Sequence, residues 1–331
     1  MNLYIYIACP ESKTIEVWKL KNCNSIRLIQ KINISREAQP IKIIKDVNKL
    51  YVGIRPNYCL ITYDINQNGT LTQISKIKLP ASPNHISSDK NLNFLFISSY
   101  KYSCLIVILL DNFYIPKKII QKIENLKGCH FSYLDLFTNS LFITSLLKDK
   151  IYLYSFKKEQ GLDEKNLHYI KTNKNSGPRH MVFHSTKKIA YSINELDSTV
   201  NVWELNKNVK NIKCIQKIDS LPENYKGNRW ASEIRLNFSN NFLYTSDRSA
   251  NLISLFLIQK KTNLLKLKKH FDTEDQPRSF NIDEKSKKLL VVGQKSNHMS
   301  IYNISSNTGY LSKEKSISVG KGPIWIETIY K

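Results

Sequence analysis

Short apolar runs alternate with polar turns along the whole chain. Representative runs are CLITYDI, TVNVWEL and HMSIYNI, which are rich in β-branched and aromatic residues. No window of helical length shows a sustained apolar period of 3.6 residues. Runs of this length, bounded by Gly, Pro, Asn and Asp, are typical of β-strands. The pattern therefore predicts an all-β fold.

The predicted strands recur in a repeat. Each unit has a short polar or proline-containing entry, an apolar run, a polar turn and a second apolar run, and two further strand-like runs follow. The units begin 43 to 51 residues apart, at Gln39, Ser82, Gly128, Gly177, Asn228, Gln276 and Gly322. About four strands per repeat of this length is the pattern of a β-propeller blade. We predict one seven-bladed β-propeller domain over residues 1–331, with four antiparallel strands per blade.

The two ends of the chain complement each other. Residues 322–331 supply a single strand, whereas residues 2–34 supply three strands that no first strand precedes. We predict that the strand in 322–331 completes the blade begun by residues 2–34. This closure pairs backbone groups that would otherwise lie on open sheet edges.

Cysteine usage and the N-terminal run bear on location. The six cysteines show no C-x-x-C pair and lie mostly inside apolar runs, at positions 9, 23, 59, 104, 129 and 214. Reduced, buried thiols are typical of cytoplasmic proteins. The apolar run LYIYIAC is too short for a signal peptide or a membrane span, and Glu11 follows it. We expect a cytoplasmic protein with no membrane partner.

A formal net charge of +23 raises the question of nucleic-acid binding. The lysines are spread along turns and strand ends, without an interleaved aromatic platform for bases. The 42 lysines against 8 arginines, with abundant Ile and Asn, indicate a compositional bias toward A/T-rich codons. We expect no nucleic-acid partner and a monomer or weak homo-oligomer. The charge still favours a small anionic substrate, an effect that salt weakens.

Propeller topology groups the charged residues. The first strand of each blade lines the central channel and the second strand returns, so the start of one and the end of the other lie at the same end, here called the mouth. First-strand starts place His130, Arg179, His180, Trp230 and Arg278 at the mouth, and second-strand ends place Arg55, Glu195, Arg248 and Lys295 there. Half of the eight arginines fall in this set. Arginine binds carboxylate or phosphate through a planar fork that lysine lacks. Simple ion pairing with nearby acidic residues is the alternative.

Motifs at these positions carry a resemblance that runs nearly end to end. They include GPRHMVFH from Gly177, NRWASEI from Asn228, QPR from Gln276 and VGKGPIW near the C-terminus. The chain resembles the seven-bladed propeller lactonase family of the bacterial 6-phosphogluconolactonase (cycloisomerase 2) type. The resemblance implies hydrolysis of 6-phospho-D-glucono-1,5-lactone to 6-phospho-D-gluconate in the oxidative pentose phosphate pathway, without a cofactor.

The same family includes a lactone-forming muconate cycloisomerase whose site is built from His, Arg and Glu. His130, Arg179 and Glu195 match that set, with Arg248 or Arg278 as the fourth member. A muconate-type cycloisomerase therefore remains an alternative function. A non-catalytic propeller scaffold is the other alternative, although the WD40-type signatures are missing.

Lactone opening needs an activated water, a stabilised oxyanion and a proton for the leaving oxygen. Glu195 is the first candidate for the general base, with Arg179 as the oxyanion partner. His130 is the alternative acid or base, because the ordinary pKa of histidine lies near neutrality. No H-x-H or H-E-x-x-H pattern indicates a metal.

The substrate phosphate needs a cation away from the reacting carbonyl. The candidates, which the sequence does not rank, are Arg278, Arg248, Arg55 and Lys295. Trp230 is expected to form one wall of the pocket around the sugar. His180 is expected to face away from Arg179, because successive side chains in a strand alternate, and it is kept as a packing or substrate-binding residue.

Overall fold

Residues 2–21, 25–157, 161–283 and 285–331 are described by a computed structural model of this chain. In these ranges the chain forms strands and three short 3-10 helices. The strands are β1 Leu3–Cys9, β2 Thr14–Lys21, β3 Ser25–Asn33, β4 Glu37–Ile44, β5 Lys49–Arg55, β6 Cys59–Ile65, β7 Leu71–Lys78, β8 His85–Ser88, β9 Phe94–Ser99, β10 Cys104–Leu110, β11 Pro116–Ile123, β12 Cys129–Asp135, β13 Ser140–Ser145, β14 Lys150–Lys157, β15 Gly161–Lys171, β16 Pro178–Phe183, β17 Ile189–Asn194, β18 Thr199–Glu204, β19 Lys213–Asp219, β20 Ala231–Leu236, β21 Phe242–Asp247, β22 Leu252–Ile258, β23 Leu265–Asp272, β24 Pro277–Asp283, β25 Lys288–Gly293, β26 His298–Ile304, β27 Leu311–Ser318 and β28 Trp325–Tyr330. The 3-10 helices are Lys45–Val47, Leu146–Lys148 and Val209–Asn211.

The strands form seven antiparallel four-stranded sheets in a closed ring. The first strand of each sheet contacts the first strand of the next, and β28 contacts β4 to complete the circuit. β28 pairs antiparallel with β1, from Leu3 opposite Tyr330 to Ala8 opposite Trp325. The predicted all-β, seven-bladed propeller closed by its C-terminal strand is confirmed.

The apolar core lies between the blades. Among the described residues, seven buried clusters each draw side chains from two neighbouring sheets. In β1, Tyr4 and Tyr6 pack toward the sheet β4–β7, whereas Ile5 and Ile7 pack toward the sheet β24–β27. Since successive side chains point to opposite faces, a strand buried on both faces reads as a continuous apolar run. This is why the sequence shows such runs at the middle strands.

Tyrosine hydroxyls link neighbouring blades at several interfaces. In each case a tyrosine on the second strand of one blade donates to a backbone carbonyl in the turn between the third and fourth strands of the next. The pairs are Tyr6 with Gly69, Tyr51 with Tyr114, Tyr191 with Asn263 and Tyr244 with Gly309, at 2.6 to 2.9 Å. A hydrogen bond of this kind is worth about 1 kcal/mol. The links therefore add directional contacts to the apolar interfaces.

The cysteines only partly follow the sequence expectation. Cys9, Cys59, Cys104 and Cys129 are buried free thiols. Cys214 is exposed because it lies on β19, an outer strand that faces solvent along most of its length. The remaining cysteine, Cys23, lies outside the described residues.

Within the described ranges, no helix has both the length and the apolar character to cross a bilayer.

Candidate active site

β-Bulges in the inner strands shape the mouth of the channel. Pairing with the second strand skips His130 in β12, Arg179 in β16 and Arg278 in β24. In β20 the irregularity spans Ser232 and Glu233. A bulge leaves its extra residue out of the ladder and re-aims its side chain, and bulges are common beside active sites. At these bulges, the side chains of the mouth therefore do not follow the usual alternation between the two faces of a strand.

Glu195 stands at the centre of an ion-pair network. Its Oε2 accepts hydrogen bonds from Arg179 Nε at 2.8 Å and from Arg248 Nη2 at 3.0 Å. Its Oε1 accepts a hydrogen bond from the Trp230 indole N–H at 3.1 Å. The side chain of Arg179 is only 3% exposed and that of Glu195 is 15% exposed. One carboxylate thus holds two guanidinium groups, and both of its oxygens are engaged.

The charges of this network set its protonation. Burial on its own would raise the pKa of Glu195, but the guanidinium groups of Arg179 and Arg248 outweigh burial and lower that pKa below its usual value. Burial, and then the positive charge of Arg179, lowers the pKa of Arg248. Glu195 is therefore ionised at neutral pH, and it offsets the repulsion between two buried cations.

Arg179 is fixed along one edge of its guanidinium. Its Nη1 donates to the Ser232 carbonyl at 2.6 Å and lies 3.2 Å from His180 Nε2. The prediction that His180 faces away from Arg179 is wrong, because the bulge at Arg179 breaks the alternation between these neighbours. Within the part of the chain that the structure describes, Nη2 of Arg179 receives no hydrogen-bond partner. That N–H group is available to an oxygen atom of a ligand.

His130 lies beside this network and is almost fully buried. Its ring centroid is 4.9 Å from that of His180 and 6.1 Å from that of Tyr100. The buried Nδ1 has no partner among the described residues. Burial, followed by the positive charge of Arg179, holds the pKa of His130 well below its ordinary value. The imidazole is therefore neutral at neutral pH and can accept a proton.

Arg278 and Arg55 have a different environment from Arg179 and Arg248. Nη1 of Arg278 donates to Gln294 Oε1 at 3.2 Å. Nε of Arg55 donates to the Pro83 carbonyl at 2.6 Å, and its Nη2 donates to Asn84 Oδ1 at 3.2 Å. Across the described residues, neither arginine lies within salt-bridge distance of a carboxylate.

The electrostatics of Arg278 reflect its cationic neighbours. Burial lowers its pKa to about 10, and the positive charges of Arg179 and Arg55 add to the shift, whereas the charge of Glu195 opposes it. Burial likewise lowers the pKa of Arg55 to about 10, against the opposing charge of Glu37. A guanidinium with neutral partners and cationic neighbours is stabilised by an incoming anion. This side of the mouth is suited to bind one.

Trp230 and Lys295 were also predicted at the mouth, and they differ in how they are held. Trp230 is tied into the network, since Arg248 lies over its ring at 3.9 Å and its indole donates to Glu195. Lys295 is exposed, and its backbone N–H donates to the Asp275 carbonyl. The structure therefore brings the predicted His, Arg, Glu and Trp residues together, with Lys295 at the solvent edge.

Sequence reasoning missed two polar residues that support this arrangement. Glu233 accepts a hydrogen bond from His180 Nδ1 at 3.0 Å and is buried. Asn84 accepts from Arg55 and donates to the His130 carbonyl at 3.1 Å. Glu233 lies in the motif NRWASEI, so the signal was present, but its direction depends on the bulge in β20.

No group of three or more His, Cys, Asp or Glu side chains able to hold a metal ion occurs in the described ranges. The side chains of the mouth include a neutral imidazole, an arginine nitrogen without a hydrogen-bond partner in the described ranges, and two guanidinium groups held by neutral oxygens.

Comparisons with known proteins agree with this architecture. The family described as "Lactonase, 7-bladed beta-propeller" matches residues 4–328. A protein named 6-phosphogluconolactonase from Buchnera aphidicola is 44% identical over 328 residues, covering 98% of each chain. One of the same name from Erwinia tasmaniensis is 37% identical over 326 residues, again covering 98% of each.

Solved structures share the fold at lower identity. A periplasmic gluconolactonase from Pseudomonas aeruginosa superposes with a TM-score of 0.91 at 19% identity, covering 99% of both chains. A protein from Lactobacillus plantarum gives a TM-score of 0.90 at 19% identity over the full length of both. These two matches show that the fold is shared and no more. The family match and the relatives at 44% and 37% identity show that the chain belongs to the lactonase family of seven-bladed β-propellers.

Proposed function

We propose that this protein hydrolyses 6-phospho-D-glucono-1,5-lactone to 6-phospho-D-gluconate, the lactone-opening step of the oxidative pentose phosphate pathway. The relatives that match over nearly the full chain carry the name of this enzyme. One observation carries the proposal in the site itself: a carboxylate-paired arginine beside a neutral histidine shares the mouth with arginines that have no carboxylate partner among the described residues. The first group suits the ester carbonyl and the second suits the phosphate.

His130 is the general base in this proposal. The neutral imidazole takes a proton from water as the water oxygen bonds to C1 of the lactone. The carbonyl oxygen becomes an oxyanion, which Nη2 of Arg179 stabilises. The C1–O5 bond then breaks, O5 takes the proton held by His130, and the resulting carboxylic acid loses its own proton to solvent.

Glu195 has a supporting role instead. Its two oxygens already accept from Arg179, Arg248 and Trp230. With both oxygens engaged by these donors, neither is free to accept a proton from water, whereas Nδ1 of His130 has no partner among the described residues. We therefore assign it the task of fixing Arg179 and Arg248 rather than that of taking a proton from water.

The phosphate anchor in this proposal is Arg278, and Arg55 assists it from the other side of the blade formed by β28, β1, β2 and β3. Arg248 is a weaker candidate, since it is paired with Glu195 and stacked on Trp230. Lys295 is exposed, so a contact with phosphate there would compete with water.

The test follows lactone disappearance above the spontaneous background, with the lactone generated enzymatically in situ. Wild type is compared with His130→Asn and Glu195→Gln across pH. We expect His130→Asn to lower kcat by about 10²- to 10⁴-fold and to remove the acid limb of the profile. Glu195→Gln should lower kcat and leave the acid limb of the pH profile in place.

Two outcomes would contradict this assignment. Loss of the limb in Glu195→Gln would make Glu195 the base. Wild-type rates equal to background would remove the proposed reaction, and a panel of muconates and unphosphorylated lactones would then be tested. Circular dichroism confirms that each variant is folded.

The surroundings of the enzyme are also proposals. We infer a cytoplasmic site of action from the buried free thiols, which a reducing compartment maintains. We further propose a monomer or weak homo-oligomer that acts on a phosphosugar lactone without a nucleic-acid or membrane partner. Sedimentation velocity at micromolar concentration tests the oligomeric state.

A further inference from the structure

Behind Arg179 the inner strands bury a carboxylate that the proposed reaction does not use. Glu233 lies on β20, and its side chain is 4% exposed. Its Oε1 is 3.0 Å from Nδ1 of His180, whose side chain is also 4% exposed. Oε1 additionally accepts from the Ile234 backbone N–H at 3.1 Å. A charge buried this deeply is costly unless it is paired, so its partners define what it does.

The donor and acceptor roles in this contact are constrained. Nη1 of Arg179 lies against the same ring, 3.2 Å from Nε2 and 3.4 Å from Nδ1 of His180. The ionised carboxylate of Glu233 accepts, so the proton of the neutral His180 ring has to lie on Nδ1. Contacts therefore run from Glu233 through His180 to Arg179, and the Glu233 contact sets the tautomer of the ring between them.

Two residues of the bulge in β20 hold the Arg179 guanidinium, one directly and one through His180. Ser232 and Glu233 fall within its irregular pairing. The carbonyl of Ser232 accepts from Arg179 Nη1 at 2.6 Å, while Glu233 reaches the same nitrogen through His180. Both contacts hold Nη1, and neither involves Nη2. They fix the direction in which the remaining N–H group points.

We propose that Glu233 is a positioning residue: it fixes His180 in the Nδ1–H tautomer and through that ring orients the Arg179 guanidinium toward the oxyanion. The inference rests on the proposed lactonase function and extends it to a residue outside the mouth. Arg235 balances the charge of Glu233, with its Nη2 at 3.5 Å from the carboxylate. The negative charge therefore persists without protonation.

The kinetic test uses the full chain with Glu233→Gln, Arg179→Ala and the double variant. We expect Glu233→Gln to lower kcat by about 10- to 100-fold while KM stays within about twofold, since the substrate contacts are kept and only an orientation is lost. In the Arg179→Ala background the same change should cost nothing further, because its effect passes through Arg179.

The matched control is Glu16→Gln. Glu16 is another buried carboxylate, on β2, and it accepts from the Trp18 indole N–H at 3.0 Å. Its replacement removes the same charge without touching His180 or Arg179, so kcat should stay near that of wild type. A loss equal to that of Glu233→Gln would show a general effect of buried charge and would overturn the proposal.

A second readout does not depend on activity. Nitrogen-15 NMR of wild type distinguishes the two imidazole tautomers, and the His180 signals are assigned by their loss in His180→Asn. We expect the Nδ1–H tautomer in wild type and a change of tautomer population in Glu233→Gln. An Nε2–H tautomer in wild type would overturn the proposal, even if Glu233→Gln failed to fold.

The outcomes separate the two proposals. A wild-type enzyme that hydrolyses the lactone, together with an unaffected Glu233→Gln or an additive double variant, would reject the role of Glu233 alone. A wild-type protein without lactonase activity would reject the proposed function, and the tautomer would still report on the contact.

Discussion

The two sides of the mouth carry arginines in opposite electrostatic states. On one side, Arg179 and Arg248 share the carboxylate of Glu195 and are almost completely buried. On the other, Arg278 and Arg55 are held by neutral oxygens of Gln294, Pro83 and Asn84.

The difference separates two tasks that one residue type can perform. A guanidinium that already shares a carboxylate gains less from a second anion, but it is held rigidly, which suits a charge that appears only in the transition state. A guanidinium without such a partner gains most from a charge that the substrate brings with it. The composition favours lysine throughout, yet both tasks here use the planar fork of arginine.

Among the arginine variants, the largest expected effect comes from the paired side. Arg179→Ala should lower kcat by about 10²- to 10³-fold, as the loss of one oxyanion donor typically does. Arg179→Lys should recover little, since lysine cannot hold Glu195 and the oxyanion through one rigid group. Steady-state kinetics on the lactone measures both. A variant that loses affinity with kcat intact would place Arg179 in ground-state binding.

The unpaired side should affect binding instead. Arg55→Ala should raise KM for the phosphorylated lactone by about 10-fold, because a charge-assisted hydrogen bond of about 1.5 kcal/mol is lost. The matched control is glucono-1,5-lactone, which has no phosphate and should show no change. Equal losses on both lactones would argue against a phosphate contact.

A substitution far from the mouth sharpens the comparison, because it should change the stability of the fold and leave catalysis unchanged. Tyr244→Phe removes the hydroxyl that donates to the Gly309 carbonyl at 2.7 Å between two blades. We expect a loss of about 1 kcal/mol in the free energy of unfolding, since one hydrogen bond disappears and its acceptor is left unpaired. Urea denaturation measures it, and kcat should stay at the wild-type value. A drop in kcat would link blade packing to the site.

The smallest expected effect is a shift in pH dependence. Arg278 is one of the cations that lower the pKa of His130, after burial and Arg179. Removing a cation raises the pKa of a nearby histidine, so the acid limb of kcat should move to higher pH in Arg278→Ala. The direction of the shift is the test. A shift of the acid limb to lower pH, or no shift, would show that the limb does not report the ionisation of His130.

Much of the fold was predictable because the sequence repeat and the burial pattern both follow from the packing of one blade against the next. Middle strands lie between two apolar interfaces, so they read as continuous apolar runs, and their spacing fixes the number of blades. The rule that strand starts and ends share one mouth follows from antiparallel topology. It placed Arg55, Arg179, Arg248 and Arg278 together without any coordinates.

The finer site was not predictable, for a physical reason. Alternation fails at a bulge, and the bulge at Arg179 turns His180 toward the arginine that it was expected to avoid. The bulge in β20 likewise aims Glu233 at His180. The pairing of Glu195 with Arg179 and Arg248, but not with Arg278, depends on distances between blades. Those distances are set by packing rather than by spacing along the chain.

The most direct test of the central claim compares Arg278→Ala with Arg248→Ala, two variants that remove the same charge from the same mouth. The measured quantity is the ratio of kcat/KM for 6-phosphogluconolactone to that for glucono-1,5-lactone. Arg278→Ala should lower this ratio by about 10-fold or more, whereas Arg248→Ala should lower both rates and leave the ratio near that of wild type. A ratio that falls equally in both variants, or only in Arg248→Ala, would contradict the division of the mouth into a reacting side and a phosphate-binding side.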